Sequence, residues 1–319
     1  MDSTTITVTG PALALLDELE AAASYAERSH APATRTAYGS AWRGFAAWCN
    51  ARDIDALPAA PQTLAAWLAA RADAGIKPAS ISLGLTAIRQ AHAAAGLEHA
   101  VGHPAVVAVW KGIRRTVGTA QRQVAAVCTD ELRAMVAALP AGLGGARDRA
   151  LLLLGWSGAM RRSELVALDV ADVAHDAKGA IVTIRRSKTD GEGRGAEARI
   201  AYGSSAEVCP VRALRAWLEA AGIAEGAIFR AVDRHGRVGE RLEGAAVAAV
   251  VKRAAERAGM DPDRVAGHSL RAGLATSAAR AGRSDRSIMA QGRWASRAMV
   301  DRYVRAGNGW DGNASIGLL

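Results

Sequence analysis

Apolar residues recur at three- and four-residue spacing through most of this chain, which is the pattern of amphipathic helices. In the N-terminal third, proline and glycine separate the periodic stretches from one another. The pattern predicts helices over residues 13–27, 34–50, 61–74 and 80–95. Thr34 and Ser80 are the expected N-cap residues of the second and fourth helices. A helical N-terminal domain is therefore expected.

The pattern changes in the second half of the chain. Two short alternating stretches, 180–187 and 198–202, flank the glycine-rich segment TDGEGRG and predict an antiparallel β-meander. Helical periodicity surrounds it over residues 129–139, 145–158, 160–168, 210–221, 243–259, 269–281, 284–291 and 297–305. The expected fold is mainly α with a small antiparallel β-meander. Its expected parts are a helical N-terminal domain (1–117), a linker (118–126) and a mixed α/β domain (127–319) with a C-terminal tail (307–319).

Charge is distributed unevenly between the two predicted domains. Residues 1–120 hold 10 basic and 9 acidic residues, whereas residues 121–319 hold 30 and 22. A basic excess attracts polyanions, so it favours nucleic acid as a partner, although solvated helix faces would give the same composition. Cys49, Cys128 and Cys209 lie far apart without metal-ligand spacing. Together with the absence of a signal peptide and of a membrane-spanning apolar run, this predicts a cytoplasmic protein with reduced thiols.

Six polar residues in the C-terminal half supply the groups that phosphoryl transfer to a tyrosine needs. They are Arg161, Lys188, His268, Arg271, Trp294 and Tyr303. Arg161 lies three residues before Glu164, which can orient its guanidinium, and His268 has the same spacing to Arg271. Each residue alone has an ordinary structural explanation, such as an ion pair, a hairpin lysine or a core tyrosine. The order and spacing of the whole set favour chemistry.

The order Arg, Lys, His-x-x-Arg, His or Trp, Tyr resembles the catalytic signature of the tyrosine recombinase family, also called phage integrases. The matching segments here are GAMRRSEL, RRSKTDG, HSLR, GRW and VDRYVR. Trp294 in place of histidine is similar to the Cre-like branch. Two departures stand out. Ala272 and Gly273 follow His-x-x-Arg where many members have His and Thr, and Arg293 separates Gly292 from Trp294.

The resemblance implies a site-specific recombinase that cleaves and rejoins DNA through a 3′-phosphotyrosyl intermediate, with neither metal nor cofactor. It implies Tyr303 as nucleophile, Arg161 and Arg271 as phosphate ligands, Lys188 as donor to the 5′-oxygen, His268 in proton transfer and Trp294 on the phosphate. The residues expected to contact DNA outside this set are Arg35, Lys111, Arg114, Arg115, Arg185, Arg186 and Arg293.

The resemblance further implies double-stranded DNA with an inverted-repeat site as partner. One dimer is expected per site and one tetramer per synapse, joined through the tail 307–319. The location would be the cytoplasm, with the protein associated with the nucleoid of a bacterium or encoded by a phage or plasmid. Three alternatives stay open at this point: a catalytically silent DNA-binding protein of the same fold, a type IB topoisomerase-like enzyme and a basic interaction protein.

Overall fold

A computed structural model describes residues 18, 21, 24–25, 31–119, 124–187, 195–307 and 315. The chain divides into two compact units, Met1–Arg122 and Gln123–Leu319. Most of the predicted helix over residues 13–27, all of the predicted turn around Lys188 and most of the tail lie outside the described residues. Along the part of the chain that is described, no helix combines the length and apolarity needed to cross a membrane.

Proline sets the start of every α-helix within residues 31–119 of the first unit. These helices are α1 (Pro32–Asn50), α2 (Pro61–Asp73), α3 (Pro78–Ala94) and α4 (Pro104–Val117). The expected N-caps at Thr34 and Ser80 were wrong, because α1 and α3 begin two residues earlier, at Pro32 and Pro78. Proline needs no backbone hydrogen bond at the first helical position, and its fixed φ already suits a helix.

The first unit has a small aromatic and aliphatic core. Phe45 and Trp67 meet edge to face with ring centroids 5.5 Å apart, and both are buried. His92 is also fully buried. Its Nε2 accepts a hydrogen bond from the backbone N–H of Ala59 at 2.9 Å, so its other ring nitrogen carries the proton and donates to Ile88 O at 2.8 Å. The imidazole thus ties the loop before α2 to α3.

The second unit is built around one buried helix. Its helices are α5 (Thr129–Ala137), α6 (Leu143–Ser157), α7 (Arg162–Ala167), α8 (Pro210–Ala220), α9 (Gly244–Arg257), α10 (Ser269–Arg280), α11 (Asp285–Gly292) and α12 (Arg297–Gly307). Four consecutive leucines, 151–154, are buried in α6. A helix buried on all sides needs apolar residues all round, which is why α6 shows little amphipathic periodicity.

The strands form two antiparallel sheets. The first has the order β1 (Val173–Asp176), β2 (Gly179–Ile184), β3 (Ala196–Ala201), with Val182 of β2 opposite Val173 and Ala198. The second is a hairpin of β4 (Arg230–Val232) and β5 (Val238–Arg241). The predicted fold class is confirmed, although the sequence pattern did not reveal β1 or the second hairpin.

A second, smaller core lies beside the main one and contains two of the candidate catalytic residues. It joins α10, α11 and α12 through Ala272, Ala275, Ile288, Val300 and the rings of Trp294 and Tyr303. Alanines on α10 let the neighbouring helix and the indole approach closely. The apolar packing of this cluster therefore fixes α12, and Tyr303 with it, against the first turn of α10.

Candidate active site

The phenol of Tyr303 meets the start of α10. Its Oη lies 2.7 Å from Nε2 of His268, the N-cap residue of that helix. The guanidinium of Arg302 donates to the same Oη, and its Cζ lies 4.5 Å from the centre of the Tyr303 ring. The Trp294 and Tyr303 ring centroids are 5.7 Å apart. An imidazole and a guanidinium thus lie within hydrogen-bonding reach of one phenolic oxygen.

The two departures from the family pattern each have a packing explanation. A Cβ added to Gly273 would lie 1.7 Å from the backbone oxygen of Val127, so α10 can approach that segment only with glycine there. A Cβ added to Gly292 would lie 1.7 Å from the Trp294 ring, which therefore rests on the glycine backbone. Arg293 between them is left-handed, with φ 55°. This turn directs the Trp294 side chain into the protein, and the Trp294 backbone N–H still donates a hydrogen bond to Met289 O at 3.1 Å.

Arg271 is a charged side chain in the interior. It is 1% exposed, its Nη1 donates to Ala159 O, and its Cζ lies 4.3 Å from the centre of the Trp294 ring. Among the described residues, its buried Nη2 has no hydrogen-bond partner. Burial, followed by repulsion from Arg161, lowers the pKa of Arg271 to about 10, so it is still charged at neutral pH. A buried cation with an unused donor is suited to an anionic ligand.

Glu164 holds two further arginines in place. Its Oε1 lies 2.5 Å from Arg161 Nη1, and its Oε2 accepts from the Arg161 backbone N–H at 3.0 Å and from Arg293 Nη2 at 2.9 Å. Arg161 precedes α7 as its N-cap residue, although the predicted helix over residues 160–168 included it. The carboxylate closes back on the residue that begins the helix, as in a capping box.

Arg293 lies in the interior of the second unit and not on its surface. It was expected to contact DNA, but its guanidinium points into the protein, where the side chain is 12% exposed. Besides Glu164, it donates to the backbone oxygens of Gly158 and Gln291 at 3.0 and 3.1 Å. Arg293 and Arg271 both reach Ala159 O. Arg293 therefore braces the turn that precedes Arg161.

The local charge sets the protonation states of the site. Burial alone would raise the pKa of the Glu164 carboxyl, but hydrogen bonds from Arg161 and the charge of Arg293 outweigh burial and lower that pKa. Burial lowers the pKa of His268, and the charges of Arg271, Arg302 and Arg161 lower it further. At neutral pH the imidazole is therefore neutral, whereas Glu164 is ionised. A neutral imidazole can accept a proton from the phenol.

The remaining expected site residues lie elsewhere. Lys188 is outside the described residues. Arg185 follows β2 and lies within 3.0 Å of the Asp169 and Asp172 carboxylates, while Arg186 beside it is exposed. In the first unit, Arg35 on α1 and Lys111, Arg114 and Arg115 on α4 are exposed. Within the described residues, no group of three or more His, Cys, Asp or Glu side chains is placed to hold a metal ion.

Arg302 was not among the residues that the sequence pattern singled out. Its only signal was its position directly before Tyr303 in VDRYVR, where it was one of several nearby arginines. Successive residues of a helix point in different directions, so adjacency did not suggest a contact. Only the structure shows its guanidinium turned back over the Tyr303 ring.

The fold has close counterparts among solved recombinases. The structure of a lambda integrase dimer bound to a COC′ core site aligns with a TM-score of 0.61 at 18% identity, over 96% of this chain and 84% of that one. The post-cleavage complex of XerH site-specific recombinase with palindromic difH substrate aligns with a TM-score of 0.59 at 15% identity, over 79% and 70%. At these identities the likeness shows the fold alone.

Sequence similarity is more specific. Residues 126–308 match the model described as the phage integrase family. An integrase/recombinase described as a XerD homolog, from Selenomonas ruminantium, is 38% identical over 293 residues, which is 90% of this chain and 86% of that protein. The family match covers more than half of the chain and includes every residue of the cluster around Tyr303. The chain therefore belongs to the phage integrase family, the tyrosine recombinases, and is an enzyme of site-specific DNA recombination.

Proposed function

We propose that Tyr303 is the nucleophile of this recombinase and that it forms a 3′-phosphotyrosyl link to DNA. The observation that carries the proposal is the 2.7 Å approach of Tyr303 Oη to His268 Nε2, within the cluster that also holds Arg161 and Arg271. A nucleophile beside a base that is neutral at the working pH has the arrangement that covalent catalysis requires. The bond energy is kept in the phosphotyrosine for rejoining.

Two arginines form the proposed phosphate clamp. Arg161 is oriented by Glu164 from one side, and Arg271 is held between Ala159 O and the Trp294 ring. Each would bind a non-bridging oxygen, where charge accumulates in the transition state. Because these guanidinia are fixed before DNA arrives, little reorganisation accompanies the reaction. Trp294 would add a contact to the phosphate through its indole N–H.

Proton transfer is divided between two groups. His268, neutral because its pKa is lowered, accepts the phenolic proton as Tyr303 attacks. Lys188, in the segment that links β2 and β3 along the chain, protonates the departing 5′-oxygen. This role rests on the family resemblance, since Lys188 lies outside the described residues. Rejoining uses the same groups in reverse.

Several exposed cations would hold the duplex outside the cleavage site. They are Arg35, Lys111, Arg114 and Arg115 in the first unit and Arg186 in the second. Such contacts position DNA without reading sequence. Arg185 is proposed as an additional contact, although its ion pairs with Asp169 and Asp172 already occupy it. We place the enzyme in the cytoplasm, associated with the nucleoid.

The covalent adduct is the direct test of this function. A pool of random-sequence duplexes, each nicked once, lets a short fragment diffuse away after cleavage and traps the enzyme on DNA. Adducts that survive denaturing detergent are sequenced, and the enriched DNA is the selected duplex. Proteolysis and mass spectrometry of the adduct should find the nucleotide on Tyr303 and not on Tyr25, Tyr38 or Tyr202. An adduct that persists in Tyr303→Phe would overturn the assignment.

We further propose that the protein acts as a dimer on an inverted-repeat site and as a tetramer in the synapse, with the tail 307–319 of one protomer on its neighbour. The tail carries Trp310, Ile316, Leu318 and Leu319 in a Gly-rich setting, and most of it lies outside the described residues. Deleting residues 308–319 leaves α12 complete. The deletion should abolish exchange between two selected duplexes while single-site binding persists in a gel-shift assay. Exchange at the wild-type rate would contradict the tail's role.

A further inference from the structure

Arg302 makes two contacts with the nucleophile that the family signature does not describe. Its Nη2 donates to Tyr303 Oη, and its Cζ lies 4.5 Å from the ring centroid. Tyr303 is 6% exposed, so most of its side chain is packed inside the protein. The donor of a charge-assisted hydrogen bond to a phenolic oxygen stabilises the phenolate more than the phenol.

We propose that Arg302 is a further catalytic residue, whose guanidinium stabilises the negative charge on Tyr303 Oη as the tyrosine attacks and as it leaves. The inference rests on the proposed function, because it takes Tyr303 as the nucleophile. Under this proposal, the arginines of the cluster have two different roles. Arg161 and Arg271 serve the phosphate oxygens, and Arg302 serves the tyrosine oxygen.

The cleavage step balances with the groups already named. The bond from Tyr303 Oη to the scissile phosphorus forms, and the phenolic proton passes to Nε2 of His268. The bond from phosphorus to the 5′-oxygen breaks, and that oxygen takes a proton from Lys188. In rejoining, the 5′-hydroxyl attacks the phosphorus and gives its proton back to Lys188. The phosphotyrosine bond breaks, and Oη, whose developing negative charge lies beside Arg302, takes its proton back from His268. No oxidant, reductant or further reactant is needed.

The geometry also explains how Oη can use both neighbours together. A phenolic oxygen has one proton to donate and lone pairs to accept with. Arg302 can only donate, so it occupies a lone pair and leaves the O–H directed at the imidazole. His268 accepts because the buried imidazole is neutral; repulsion from Arg271, Arg302 and Arg161 adds to burial in lowering its pKa. Arg302 thereby acts on both the nucleophile and its base.

The first experiment measures single-turnover adduct formation on the selected duplex. Arg302→Gln should slow cleavage on the order of 10²-fold, the scale of losing one preorganised donor to a developing oxyanion. Arg302→Lys keeps the positive charge but lacks the planar guanidinium, so its cleavage rate should lie between those of wild type and Arg302→Gln. Arg297→Gln is the matched control, because it removes the same charge from the same helix at a side chain 75% exposed and paired with Asp285. It should cleave like wild type.

A second measurement separates chemistry from simple packing. Tyr303 is replaced by 3,5-difluorotyrosine, whose phenol is more acidic and needs less help to carry charge. In this background the deficit caused by Arg302→Gln should shrink by about tenfold, because a better-stabilised phenolate depends less on a neighbouring cation. A residue that merely packs against the ring, or that binds DNA, would give the same deficit with either phenol.

The pH profile supplies a third readout. The charged and titratable groups facing His268 are Arg271 on α10, Arg161 before α7, and Arg302 and Tyr303 on α12. Removing the Arg302 charge should raise the pKa of His268, so the acid limb of the cleavage rate should move to higher pH. Arg297→Gln should leave it in place.

The outcomes distinguish this inference from the proposed function. If wild type forms no adduct on any duplex of the pool, the proposed function fails. If wild type forms the Tyr303 adduct and Arg302→Gln forms it equally fast, the catalytic role of Arg302 is wrong. A slow Arg302→Gln whose deficit is unchanged by difluorotyrosine also overturns it.

Discussion

Arg271→Met is expected to remove most of the cleavage activity and, at the same time, to raise the thermal stability of the second unit. The two effects have one cause. Arg271 is 1% exposed, lies near the positive charges of Arg161 and Arg293, and leaves Nη2 without a hydrogen-bond partner among the described residues. The folded protein without DNA therefore carries a buried charge that the nearby Glu164 carboxylate offsets only in part and that a bound phosphate would neutralise.

The magnitudes follow from the pKa. Burial and like charges lower the pKa of Arg271 to about 10. At about 1.4 kcal/mol for each pH unit, the charged form is disfavoured by about 3 kcal/mol in the folded state. Methionine fills a similar volume beside Trp294 without the charge, at a cost of about 1 kcal/mol for the hydrogen bond to Ala159 O. The net gain of about 2 kcal/mol should raise the melting temperature by roughly 4–8 °C in a unit of this size.

The sign of the pH dependence is also determined. A base whose folded pKa is lowered costs stability wherever it is charged, so the advantage of Arg271→Met is present at neutral pH. It fades as pH rises above about 10, where wild-type Arg271 loses its proton.

Activity should fall on the order of 10³-fold, because one of the two phosphate ligands is lost. Differential scanning calorimetry and single-turnover cleavage of the selected duplex measure the two effects. Arg280→Met, at the exposed end of α10, is the matched control and should change the unfolding free energy by no more than about 0.5 kcal/mol. If Arg271→Met were markedly less stable than wild type, the buried charge of Arg271 would not destabilise the folded protein as proposed.

The sequence predicted those parts of the site that lie within one helix turn or one local pattern. His268 and Arg271 are three residues apart, so the start of α10 brings them together. Their positions follow from local rules of helix geometry. Trp294 was instead placed through the family resemblance, and only the structure shows its ring resting on Gly292. The approach of α12 to α10 does not follow from local rules either, because it depends on long-range apolar contacts that involve Val300 and Tyr303.

The inward role of Arg293 could not be read from the sequence. Its partner Glu164 lies 129 residues away, and nothing local distinguishes an arginine that braces a turn from one that contacts DNA. The hairpin of β4 and β5 was missed for a related reason. Its strands have three and four residues without clear alternation, and Arg241 is held by long-range contacts to Leu168 O and Asp169. Tertiary contacts, not intrinsic propensity, stabilise such short strands.

Glu164→Gln is expected to destabilise the second unit by about 3–5 kcal/mol, which is the usual cost of removing one partner from a buried ion pair. Glu164 is 2% exposed and binds both Arg161 and Arg293, whose side chains are 16% and 12% exposed. Without the carboxylate, these two guanidinia and Arg271 would lie close together after losing the negative charge that they share. Urea unfolding at neutral pH measures the loss, and Glu219→Gln, at an exposed position of α8, is the control.

The pH dependence of this loss has a definite sign. The folded pKa of Glu164 is lowered, so the carboxylate contributes stability that is fully present above its ordinary pKa of about 4.3 and is lost as pH falls through the lower folded value. The difference in unfolding free energy between wild type and Glu164→Gln should therefore be constant from neutral pH down to about pH 5 and shrink below it. A difference that grows on acidification would contradict an ionised Glu164.

A double variant then separates folding from catalysis. Arg293→Met combined with Glu164→Gln removes one of the two positive charges with which Glu164 pairs, so it should recover about half of the lost stability. It should not recover cleavage, because Arg161 still lacks the carboxylate that orients its guanidinium for the phosphate. If stability and cleavage returned together, Glu164 would matter only for folding. If cleavage alone stays low, the Glu164–Arg161 pair positions the phosphate ligand, and Arg293 serves to keep that pair in the interior.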